Sequence, residues 1–101
     1  MNLQYILDEN GDPIECNDIR EWGAWMQSND RRISQTEIGE SKVSTVFLGL
    51  DHAWDGGSPL LWETMVFEGP FDGEMKRCGG KIADAQAMHD AMCERIRNPE
   101  K

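Results

Sequence analysis

The 101 residues fit one domain, with nineteen acids against ten Lys and Arg for a net charge of -9. That balance argues against binding nucleic acid through phosphate neutralisation, which needs clustered cations. A hydrophobic content of 39 % with four tryptophans argues against a disordered chain, and no apolar run reaches the ~18–20 residues of a membrane span. Three cysteines, Cys16, Cys78 and Cys93, make a poor disulfide framework. With no charged-then-apolar leader, they point to a soluble protein in a reducing cytoplasm.

The chain opens with "LQYILDENGDPIEC". The apolar run Leu3 to Leu7, the Asn10-Gly11 turn signal and Pro13 predict a short strand, a tight turn and a second extended piece. "NDIREWGAWMQSND" predicts a helix, with Asp18 as cap and Glu21 completing a capping box. Ile19, Trp22 and Met26, with Trp25 beside them, give it an apolar face.

"RRISQTEIG" reads as a strand ending in a Gly39-Glu40 turn, and "KVSTVFLGL" as a clearer one. Val43, Thr45 and Phe47 share one face of the second, and Val46, Leu48 and Leu50 the other, so both faces carry apolar side chains. Gly49 marks a bulge or a close backbone approach. "LLWETMVFE" is a third strand, with Trp62, Thr64 and Val66 opposite Glu63, Met65 and Phe67. "GPFDGEMKRCGG" reads as loop. "KIADAQAMHDAMCERIRN" is a second helix, its stripe formed by Ile82, Ala85, His89, Met92 and Ile96, with Pro99 as the stop. The expected fold is a single α+β domain over residues 1–101: an antiparallel meander of three to four strands with two helices packed on it.

Charge is unevenly placed: residues 1–30 hold seven acids and one arginine. Such a segment suits a basic protein surface, and it also serves solubility. The loop "DHAWDGG" holds Asp51, His52, Trp54 and Asp55. A histidine beside carboxylates suits a general base or a metal ligand, with Glu63 as a third group. Against that, the chain has no HExxH, no paired CxxC and no Gly-x-Ser-x-Gly elbow, so neither a catalytic residue nor a metal or cofactor site is assigned. In the structural reading, Asp51 and His52 hydrogen-bond the strand ends and Asp55-Gly56-Gly57 turns the chain. His89 with Cys93 and Cys78 lacks the spacing of a zinc site and reads as a hydrogen-bonded core histidine. "DENGDP" has its glycine in the wrong place for a calcium loop.

The blocks "YILDENGDPI", "VSTVFLGLDHAWDGGSPLLWETMVF" and "HDAM" resemble a small uncharacterised family of proteins encoded by phages and prophages. The likeness covers nearly the whole chain, although "EGP" stands after "MVF" where the family more often has "GGP". That family has no established activity, so the resemblance carries over no catalytic residue. It implies an accessory protein acting in the cytoplasm of a bacterial host. Small acidic proteins of that origin often bind and inhibit a host protein, and anti-CRISPR inhibitors of host defence resemble this profile.

The expectation is therefore a non-enzymatic interaction protein. Its partner is a host protein with a basic surface. Its binding surface is Trp54, Asp51, His52 and Asp55 with Asp8, Glu9 and Asp12. A metal-assisted hydrolase using Asp51, His52 and Glu63, or a virion component, is the alternative. Apolar residues on both strand faces also suggest a homodimer.

Overall fold

The computed structural model describes residues 3–53 and 57–99. Strands β1 (Tyr5–Leu7) and β2 (Pro13–Glu15) form an antiparallel hairpin with Ile6 opposite Ile14. Helix α1 (Ile19–Ser28) follows, capped by Asp18, whose carboxylate accepts from the Arg20 and Glu21 amides at 2.9 and 3.3 Å. Strands β3 (Arg32–Ile38), β4 (Ser41–Phe47), β5 (Trp62–Phe67) and β6 (Met75–Cys78) then make a four-stranded antiparallel meander, and α2 (Ile82–Arg97) closes the fold.

The expected α+β meander is therefore present, with one addition. Strand β6 lies inside the segment read as loop. Its sequence, Met-Lys-Arg-Cys, has little intrinsic strand preference, and the residues gain a ladder because β5 offers them an edge: Met65 pairs with Met75 and Trp62 with Cys78.

Period-two patterning decides which face of the sheet is covered. Val43, Thr45 and Phe47 of β4 and Trp62, Thr64 and Val66 of β5 are all fully buried. Helix α2 lies over them with Ala85, His89, Met92 and Cys93 inward. Helix α1 reaches the same face through Trp25, whose ring meets Phe47 edge-on at 5.7 Å. The core forms two apolar clusters, one around Val43, Val66, Met92 and Cys93, the other around Phe47, Leu61, Trp62 and Ala85. A polar stripe, Thr45, Thr64 and His89, is buried with them.

Gly49 fulfils the expected close approach. It takes φ +76, and its carbonyl accepts from the Tyr5 amide at 2.9 Å and from Trp22 Nε1 at 3.0 Å. A Cβ there would sit 2.6 Å from Met26, so glycine lets α1 and the hairpin meet the end of β4. The other face of the sheet presents Lys42, Ser44, Val46, Glu63, Met65, Phe67, Met75 and Arg77, with Met26 of α1 near Val46 at one edge.

Candidate functional site

Of the predicted site residues, Asp8, Glu9 and Asp12 lie in the hairpin turn, and Asp51 and His52 in the segment after β4 that meets the hairpin. That segment is held on both sides. His52 N donates to Leu60 O at 3.0 Å, and Asp51 N donates to Leu3 O at 2.9 Å. Asp51 Oδ1 accepts from Ala53 N at 2.8 Å and Leu60 N at 3.0 Å, pinning both ends of the loop. His52 Nδ1 donates to Leu50 O at 2.8 Å. Both side chains thus do what the structural reading of the loop expects. Trp54 and Asp55 lie outside the described residues.

Glu63 does not join them. It lies on the open face of the sheet, paired with Arg77 at 2.9 Å across β5 and β6. Among the described residues, no three His, Cys, Asp or Glu side chains group closely enough to hold a metal ion.

In the hairpin, Asp8 Oδ1 accepts from Asn10 N at 2.8 Å and Asp12 N at 3.0 Å, which shapes the turn that Gly11 completes at φ +83. Asp12 Oδ1 accepts from Ile82 N at 3.0 Å, so a residue of the first hairpin holds the opening turn of the last helix. An open depression of about 550 Å³ lies between these elements, walled by Tyr5, Asp8, Asp12, Pro59, Leu61 and Lys81. The helix start already has two carboxylates, since Lys81 N donates to Asp84 Oδ2 at 2.9 Å.

Replacing Asp12 by alanine removes a helix cap and cuts the hairpin loose from α2. We expect a loss of about 1–2 kcal/mol, read as a fall of about 5–10 °C in Tm. Alanine at the exposed Glu9 should move Tm by no more than a degree or two. Equal effects at both positions would mean that the Asp12 contact contributes nothing.

What remains outward on the hairpin and α1 is acid with scattered apolar side chains. Glu9, Glu15, Asp18 and Glu21 are exposed, with Arg20 as the only cation of the first thirty residues. Among them Ile14 is 43 % exposed and Ile19, at the start of α1, is 61 % exposed. Neither isoleucine is legible in the sequence as a surface residue. The helical pattern puts Ile19 on a face that the sheet would cover, whereas α1 meets the hairpin and Phe47 through its tryptophans. Burial, reinforced by Glu15 and Asp51, pushes the Tyr5 phenol above its usual range.

The chain matches no protein-family model, no curated protein and no solved structure. The fold itself defines the class: a two-layer α+β domain with a separate N-terminal hairpin.

Proposed function

We propose that this protein acts by binding another protein through its hairpin-α1 end, as an accessory protein that engages a basic surface of a bacterial host protein and modulates or inhibits it. One observation carries the reading: exposed isoleucines, Ile14 and Ile19, sit within a field of acids on a single structural unit. Apolar anchors set among mostly acidic side chains suit a partner with apolar pockets rimmed by Lys and Arg, where charge steers the encounter and burial sets the lifetime. The titratable groups weighed in the sequence have internal duties. Asp8, Asp12 and Asp51 organise backbone, and His89 serves the core. Their charges still add to the field at the hairpin end. An anti-defence role, in which the acids occupy a groove that otherwise holds nucleic acid, is the specific form we favour.

The test is capture of partners from bacterial lysate by the tagged protein and by a variant carrying Glu9→Gln, Glu15→Gln and Glu21→Gln. None of the three carries a core contact, so the variant should fold normally. A stoichiometric partner should be retained by the parent at low salt, lost at high salt, and retained at least tenfold less by the variant. A partner held equally by both proteins would place binding elsewhere and sink this surface.

A further inference from the structure

We infer that α1 with its flanking turns, residues 17–30, is a strap that leaves the fold as a unit while the hairpin, the four-stranded sheet and α2 stay in place. Both ends of the strap are pinned. Ahead of it Cys16 is buried, and its amide donates to Gln4 O at 3.0 Å. Behind it Arg31 O accepts from the Phe47 amide at 2.8 Å. The hairpin has its own moorings away from α1. The Tyr5 amide donates to Gly49 O, the Asp51 amide to Leu3 O and the Ile82 amide to Asp12 Oδ1.

Between the pins α1 is held lightly. None of its ten residues is buried, and Ile19 at its start is 61 % exposed. It is fastened by the hydrogen bond from Trp22 Nε1 to Gly49 O at 3.0 Å, by the edge-on contact of Trp25 with Phe47, and by Met26 against Gly49 and near Val46. Among the described residues, neither ion pair involves α1. Helix α2 is the contrast. It buries Ala85, His89, Met92 and Cys93. It is also tied along its length: Ile82 to Asp12, Gln86 to Ser34, His89 to Thr36 and Thr45, and Arg95 to Glu74. Local opening takes the elements with the fewest buried contacts.

Gly23 sharpens the contrast. It stands inside α1, and a Cβ there would meet nothing within 4 Å. Packing does not demand glycine at this position as it does at Gly49, yet glycine weakens a helix interior more than any residue except proline. Once off the sheet, ten residues are too few to stay helical, since isolated helices need about 12–15. Undocking and melting are therefore one step. That step frees Trp22, Trp25 and Met26 together and bares the edge of Phe47. The strap carries Ile19 and Glu21 of the proposed surface, so that surface has a second, more apolar form.

Native-state amide hydrogen exchange of the intact chain, followed by NMR at neutral pH, reads the opening without a partner, so the strap and the binding role fail separately. The Trp22 to Asn29 amides, which close the turns of α1, should exchange at least tenfold faster than those of β4, β5 and the middle of α2, after correction for intrinsic rates. Low urea should hardly change them, because a local opening exposes little surface. Gly23→Ala should slow these amides about fivefold and leave the others as they were. Trp22→Phe should speed them severalfold, again alone. Equal protection across α1 and the sheet overturns the strap. So does a Gly23→Ala effect that spreads equally to β4, β5 and α2, because α1 would then open only with the whole fold.

Discussion

Alanine at Trp62 should lower Tm by roughly 15–30 °C and leave much of the protein unfolded at growth temperature. Trp62 is fully buried on β5, at the centre of the larger apolar cluster. Its ring lies 5.1 Å from that of Phe47, and its Nε1 donates to Gly80 O at 3.1 Å. Removing the ring costs about 3–5 kcal/mol in lost burial and residual cavity. A domain of this size has only about 5–15 kcal/mol to lose, and each kcal/mol moves Tm by about 4–8 °C. The indole also ties β5 to the glycine turn before α2, so its loss frees the Gly80 carbonyl and loosens the start of the helix. Trp62→Phe separates the two contributions. It keeps most of the packing and gives up the hydrogen bond, for an expected loss of about 1–2 kcal/mol. Thermal melts followed by circular dichroism read both. A fall of only a few degrees for the alanine variant would show that the core closes over the vacancy and can do without the indole.

The polar stripe under α2 should make the protein sensitive to mild acid. His89 is 2 % exposed, with Nδ1 at 2.7 Å from Thr45 Oγ1 and Nε2 at 2.9 Å from Thr36 Oγ1. Thr45 in turn bonds Thr64 directly across β4 and β5. A neutral imidazole offers one donor and one acceptor, and the hydroxyls complement either tautomer. The imidazolium would have to donate twice within the core. Burial therefore lowers the His89 pKa, with Asp90 beside it working weakly the other way.

The sign follows from linkage. Above the ordinary value of 6.5 both folded and unfolded chains hold a neutral ring, and stability is full. As pH falls below that value the unfolded chain takes up a proton that the folded chain refuses. Stability then drops by up to about 1.4 kcal/mol per pH unit, until the folded ring also protonates. Urea melts between about pH 7.5 and about pH 5.5 should show this slope in the parent and lose it in His89→Leu. Thr45→Val leaves both Nδ1 and Thr64 short of a partner and should cost about 1–3 kcal/mol at neutral pH. Combined with His89→Leu it should cost less than the sum, because one network has been removed once. A parent with no more slope than the leucine variant would mean that water reaches the ring.

Much of this architecture is written in local signals. The Asp18 cap, the Gly39-Glu40 turn and the alternation of Val43, Thr45 and Phe47 with Lys42, Ser44 and Val46 each specify their element from a few neighbours. They therefore read directly from the sequence. Strand β6 does not, because its four residues are strand only by virtue of the edge they meet. The functions of Asp12 and His89 are likewise set by partners 70 and 53 residues away, a separation that spacing rules do not reach. The acidity of the hairpin end is plain in composition. Its exposed isoleucines are not, because whether an apolar residue is covered depends on where the neighbouring helix lies.

The Asp12 clasp bears on the order in which the chain assembles. The meander grows by joining each strand to the next, and such short closures are fast. The bond from Asp12 to Ile82 spans nearly the whole chain and forms only when hairpin and helix are both in place. A three-residue-per-strand hairpin is too small to persist alone. The clasp therefore forms last, and it adds α2 to the contacts by which the end of β4 already holds the hairpin.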